Sequence, residues 1–231
     1  MNTTPTTVLF IPALLCDEAM YRDVIADLGS AIDARVMLSP KPVIADSVAD
    51  ILSRAPDTFV LVGTSYGGSL ALEIALAAPS RVKALWLMGC NAAEPQAGNH
   101  DLAAALEAAP ESVIERLSGL VVRKDATAAA TTFKEMAHRV GGAAGAAQAR
   151  AAATRPGAMD RLGTLSMPTL LVWGADDALA PLSYGQTLAA GIAHAHLEVL
   201  SGCGHLPTLE KPAESAALFR ALLLQVTGRG D

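Results

Sequence analysis

Apolar positions along the chain fall into two rhythms. Short runs in which nearly every residue is apolar occur at 7–12, 34–39, 58–63, 82–88, 168–174 and 196–200. Continuous apolar runs of this length predict strands buried on both faces. Between them lie stretches with apolar residues at helical spacing: 17–28, 44–54 with Ile44, Val48, Ile51 and Leu52, 67–78 ended by Pro79, 183–191 and 213–226. Asp17 suits a helix N-cap and Gly29 a helix stop. Strands alternating with helices imply a parallel sheet covered on both faces.

The rhythm breaks at 92–161. Strands vanish and the stretch becomes alanine-rich, with helical runs at 101–108, 111–121, 126–140 and 146–154. The glycines and alanines of 141–145 predict a break between the last two of these. Leu117, Leu120, Phe133 and Met136 give the segment an apolar face. With few large apolar residues, some mobility is expected of it. The chain thus divides into a core, 1–91 and 162–231, and a helical insertion, 92–161, that is not an independent domain.

At the junction of the third strand and its helix stands Gly63-Thr64-Ser65-Tyr66-Gly67. A sharp strand-to-helix turn holds its central residue in a strained backbone conformation and leaves no room for a Cβ two residues to either side, which the two glycines satisfy. The free N–H groups at the helix start point toward Ser65 and would stabilise a negative oxygen formed there. A serine hydroxyl is a weak nucleophile, so it needs a base and a group that orients the base. Of five histidines, His100 and His138 lie in the insertion and His194 and His196 flank a strand start. Only His205 sits in a glycine-rich loop beyond a strand's carboxyl end, where open α/β sheets place their sites. Asp176 and Asp177, following the strand at 168–174, are the carboxylate candidates; one of them is free to cap the turn that follows.

On these residues the sequence resembles the α/β-hydrolase superfamily over nearly its whole length. The resemblance rests on Gly63-Thr64-Ser65-Tyr66-Gly67, on Trp173-Gly174-Ala175-Asp176-Asp177 with Pro181, and on Gly204-His205-Leu206-Pro207 with Glu210 and Pro212. It implies a mostly parallel, doubly wound α/β sheet of about six strands, because the chain opens directly at its first strand. It also implies the catalytic set Ser65, Asp177 and His205, with backbone N–H groups of Leu14 and Tyr66 as the oxyanion hole. The family usually carries His-Gly after its early strand; Pro12-Ala13-Leu14-Leu15 stands here instead, which leaves main-chain donors in place but alters the loop. The insertion is expected over the sheet's carboxyl edge as a lid, and Leu15, Asn91, Arg155 and Leu206 are the expected pocket residues. Arg155 is read foremost as an ion pair between lid and core, with recognition of a substrate carboxylate as the alternative.

The implied activity is a serine hydrolase cleaving a small carboxylic ester through an acyl-enzyme, with no metal or organic cofactor. A lactonase, amidase or C–C bond hydrolase would use the same triad. A ligand-binding module on an inactive scaffold is the reading from another class, and it conflicts with the presence of all three triad residues. The 231 residues fit one domain with an insertion, and the net charge of −6 with no basic stripe argues against nucleic acid. Residues 1–7 lack Lys and Arg, and no eighteen-residue apolar run occurs, so neither a signal peptide nor a membrane span is expected. Cys16, Cys90 and Cys203 are odd in number and at no metal-ligand spacing, which points to buried, reduced thiols in a cytoplasmic protein. Oligomeric state is not legible at this level.

Overall fold

Six apolar runs become six parallel strands. The computed structural model describes residues 5–95 and 100–227; positions 1–4, 96–99 of the insertion and 228–231 lie outside the described residues. In chain order the elements are β1 (Thr6–Ile11), α1 (Arg22–Leu28), β2 (Ile32–Val36), α2 (Ile44–Arg54), β3 (Phe59–Thr64), α3 (Tyr66–Ala77), β4 (Val82–Met88), α4 (His100–Ala108), α5 (Pro110–Ser118), α6 (Thr127–Ala153), β5 (Thr169–Gly174), α7 (Leu182–Gly191), β6 (Ala195–Leu200), α8 (Pro207–Glu210) and α9 (Pro212–Thr227). The sheet order is β2-β1-β3-β4-β5-β6, with every neighbouring pair parallel.

Side chains alternate across the sheet with the period of two that a strand imposes. Val8, Phe10, Val60, Val62, Trp86 and Val172 face a layer containing α1, α9 and the insertion helices. Leu9, Ile11, Leu61, Leu85, Leu87 and Leu171 face a layer containing α2, α3 and α7. On the first face Phe219 of α9 stacks on Trp86 with ring centroids 4.6 Å apart, tying the last helix to the middle of the sheet. Strand order reverses between β1 and β3, and in such sheets the crevice beyond the carboxyl ends at that point is where ligands bind. The loops after β1 and β3 meet there.

Three elements differ from expectation. The segment 17–28 is divided: Asp17 caps a 3₁₀ turn at Glu18–Met20 by accepting from Ala19 N–H at 3.0 Å, and α1 starts only at Arg22. Tyr21 at the join has its ring buried between sheet and helix, which fixes the bend. β2 lies earlier than 34–39, because an edge strand is half-exposed and Asp33 and Arg35 belong to it while the apolar Met37 and Leu38 follow it. α8, a single turn opened by Pro207, forms within the stretch that reads as a glycine-rich loop. The break in the insertion is confined to Gly141 (φ 78°, ψ 160°), and helix resumes at once.

The insertion helices lie between β4 and β5 and share the first layer's core through the buried Leu106, Phe133 and Met136. Among the described residues no helix is long and apolar enough to cross a membrane.

A Cβ on Gly67 would overlap the carbonyl oxygens of Ile11 and Pro12, and one on Gly63 would overlap the carbonyl of Gly67 and come 2.7 Å from Ala71 Cβ. Gly67→Ala is therefore expected to cost about 3 kcal/mol in urea unfolding, the upper end for overpacking, whereas Gly163→Ala, with open space at its Cβ, should stay within about 0.5 kcal/mol.

Candidate active site

Ser65 sits between β3 and α3 with φ 56° and ψ −118°, a conformation that an L-residue adopts only under constraint. The constraint is visible on both sides of it. Ser65 N–H donates to Met88 O at 2.8 Å, and the Ser69 N–H returns to Ser65 O at 2.9 Å. Just before it, Thr64 Oγ1 lies 3.0 Å from Tyr21 Oη, whose hydroxyl donates to Ile11 O at 2.9 Å. Tyr21 thus bolts the end of β1 to the end of β3. Its identity as an ordinary core aromatic carries no sequence signal for that task.

Asp177 and His205 leave the carboxyl ends of β5 and β6. Asp177 Oδ1 accepts from the N–H groups of Leu179 and Ala180, both at 2.8 Å, so it caps its own turn. Its Oδ2 lies 2.8 Å from His205 Nδ1, and both side chains are almost wholly buried. Because a carboxylate only accepts, Nδ1 carries the proton and Nε2 is left as the acceptor. Trp173 Nε1 donates to Ala180 O at 2.9 Å and holds the same loop. Asp176 points elsewhere, pairing with Arg123 Nη1 at 2.6 Å on the surface. The His205 loop is gathered by Glu210, which accepts from the N–H groups of Gly204 (3.0 Å), Leu206 (3.3 Å) and Arg123 (3.0 Å).

Ser65 and His205 line one cavity of about 520 Å³ together with Leu14, Tyr66, Asn91, Arg155 and Leu206. No hydrogen bond joins Ser65 to His205 among the described residues, a looseness common before substrate binds. The N–H groups of Leu14 and Tyr66 have no hydrogen-bond partner among the described residues, so both remain able to donate. Leu15 is the exception among the expected pocket residues. Its φ of 63° turns it into the core against Gly145 of α6, where it is fully buried. Its N–H instead donates to Gln148 Oε1 at 2.9 Å. Gln148 is buried and anchors the loop after β1 to the insertion; a lone amide amid alanines was the only hint of it in the sequence.

Arg155 also departs from its foremost expectation. Its Nη1 donates to Asn91 O at 2.9 Å and to Ala93 O, and it joins no ion pair among the described residues. The insertion is instead clasped to the core by Arg161 on Glu73 (2.9 Å) and by Arg139 on the buried Asp17 (2.7 Å). Both oxygens of Glu73 accept from Arg161, and Glu73 forms no hydrogen bond or ion pair with Arg155 among the described residues.

All three cysteines are unpaired and buried. Burial pushes the Cys90 and Cys203 thiols up to about 12, and it raises Cys16 further, aided by Asp17. Among the described residues no three His, Cys, Asp or Glu side chains converge as metal ligands would.

A sequence profile of the Alpha/beta hydrolase family matches residues 11–218. Among curated relatives, the 2-hydroxy-6-oxononadienedioate/2-hydroxy-6-oxononatrienedioate hydrolase of Paraburkholderia xenovorans is 29% identical over 158 residues, 63% of this chain and 55% of that one. The chain thus spans about half that relative's length. The pimeloyl-[acyl-carrier protein] methyl ester esterase of Aromatoleum aromaticum is 29% identical over 199 residues, 73% of this chain and 75% of that one. Among solved structures, a thermophilic esterase of Thermogutta terrifontis superposes with a TM-score of 0.84 at 21% identity, covering 96% of this chain and 91% of its own.

Two outcomes follow from the site's surroundings. Gln148→Leu strands the buried Leu15 N–H and should cost about 1–3 kcal/mol in urea unfolding. Native protein at pH 8 should resist thiol reagents such as Ellman's reagent at all three cysteines and react fully once unfolded. Below about pH 9 both states keep these thiol protons; above it the unfolded chain alone releases them, so stability should fall as pH rises toward 12.

Proposed function

This chain belongs to the alpha/beta hydrolase family, and we propose that it is a serine hydrolase that cleaves small carboxylic esters through an acyl-enzyme. The observation that carries the proposal is the buried His205–Asp177 contact of 2.8 Å opening onto the same cavity as the strained Ser65.

In this reading Ser65 Oγ attacks the ester carbonyl while His205 Nε2 takes its proton. Asp177, bonded to Nδ1, holds the tautomer that makes Nε2 basic and stabilises the imidazolium as it forms. The Leu14 and Tyr66 N–H groups receive the negative oxygen of the tetrahedral intermediate, each such donor being worth roughly 3 kcal/mol of barrier. His205 then protonates the departing alkoxide, and water activated by the same nitrogen hydrolyses the acyl-enzyme. The insertion serves as a lid, since Leu102, Leu117 and Phe133 supply apolar wall to the cavity. The buried, unpaired cysteines suit a reducing compartment such as the cytoplasm.

A C–C bond hydrolase is the second reading, favoured by the first relative's name, and it would use the same residues. Turnover of short p-nitrophenyl esters against vinylogous 1,5-diketones separates the two.

A fluorophosphonate probe is expected to form a single adduct, found on the Ser65 peptide by mass spectrometry. Ser65→Ala should abolish labelling and lower kcat for p-nitrophenyl butyrate by roughly 10⁴-fold or more, and Asp177→Asn by roughly 10⁴-fold, with folding intact by circular dichroism. Unchanged turnover by Ser65→Ala would remove this serine from the chemistry.

A further inference from the structure

A half-buried guanidinium without a carboxylate is expensive, because a charge taken out of water is normally repaid by a counter-ion. Arg155 is such a group. Burial pulls its proton affinity below that of an ordinary arginine. The anions and acids around it do not neutralise it. Glu73 is held by both Arg161 nitrogens, and the Cys90 thiol stays protonated with its pKa near 12. Glu94 is exposed at the cavity wall and forms no ion pair with Arg155 among the described residues.

A purely structural arginine would spend its donors on the fold. Arg155 spends Nη1 alone, on the carbonyls of Asn91 and Ala93. Its Nε and Nη2 donors have no partner among the described residues, and that edge of the guanidinium is the fork that grips a carboxylate with two parallel hydrogen bonds. The residue lines the cavity that holds Ser65 and His205.

Its distance from the chemistry is set by one short loop. Gly89 backs the His205 ring, and a Cβ there would come 2.8 Å from Cε1. Asn91, which holds Arg155, is two residues further on, a span of at most about 7 Å. Since Ser65, His205 and Arg155 all line one cavity, a bifunctional molecule inside it can face both ends.

We propose that the free edge of Arg155 is a carboxylate-binding subsite of the Ser65 cavity, and that the substrate is a monoester of a short dicarboxylic acid. The inference rests on the esterase reading of the same cavity. The ester carbonyl lies at Ser65 and the free carboxylate on Arg155, so hydrolysis consumes water and releases an alcohol, the dicarboxylate and one proton.

The test compares monomethyl glutarate and monomethyl adipate with methyl pentanoate and methyl hexanoate by pH-stat. Wild type should favour the anionic ester of each pair by about tenfold or more in kcat/KM, mainly through KM, and that ratio should collapse toward one in Arg155→Met and be partly kept in Arg155→Lys. Free glutarate should compete with methyl pentanoate in wild type, and should raise the Tm of Ser65→Ala protein but not of the Ser65→Ala/Arg155→Gln double variant. A wild-type ratio at or below one, or a ratio that survives Arg155→Met, overturns the subsite. If Arg155→Met does not fold, the wild-type ratio and the glutarate competition decide. Failure of the esterase reading looks different: no fluorophosphonate adduct and no turnover of either ester, in which case the glutarate shift in Tm alone judges the carboxylate site.

Discussion

The approach of α3 to the end of β1 governs this molecule. Gly67 presses against the carbonyls of Ile11 and Pro12 with no space for a side chain, and this contact brings the first turn of α3 beside the loop that carries Leu14. Ser65 pays for the approach with a positive φ. The strain persists because the Ser65 N–H is fixed to β4, and Tyr21 links the ends of β1 and β3. The backbone of the proposed nucleophile and the two proposed oxyanion donors are thereby set by main-chain packing rather than by side-chain rotamers.

The remaining parts of the site hang from neighbouring strand ends. Each is positioned by a carboxylate or carbonyl that has more than one task. Asp177 caps its own turn with one oxygen and faces His205 with the other. Glu210 gathers three N–H groups, two of them flanking His205 in sequence. The insertion is attached by polar ties at separate points, Arg139 on Asp17, Arg161 on Glu73 and Gln148 on Leu15, while Leu106, Phe133 and Met136 merge it with the core.

The parts legible in the sequence were those set by local rules. β3, β4 and β5 are covered on both faces, so they read as near-continuous apolar runs, with Lys83 the one exposed charge near the start of β4. The placement of Ser65, Asp177 and His205 at one sheet edge was legible because short motifs follow strand ends. What was not legible depended on distant contacts. The edge strand β2 mixes polar and apolar residues and drew the reading toward Met37 and Leu38. Leu15 was assigned to the pocket, but a positive φ invisible in its identity turns it away. Gln148 acts across 133 residues of chain. The freedom of Arg155 depended on which of two arginines would take Glu73, and spacing alone does not decide that.

The bond from Leu15 to Gln148 has a consequence for how such a protein diversifies. The insertion is the obvious region to exchange when a new substrate is wanted, since Leu102, Leu117, Val121 and Phe133 of the cavity wall come from it. Yet the backbone turn that presents Leu14 is held by an amide belonging to α6. A transplanted insertion that lacks an acceptor at that position would arrive with a new pocket and a loosened turn together. Under the proposed mechanism substrate scope and turnover would therefore be inherited as one trait, and recombination between relatives would have to carry Gln148 across with the helix or supply its equivalent.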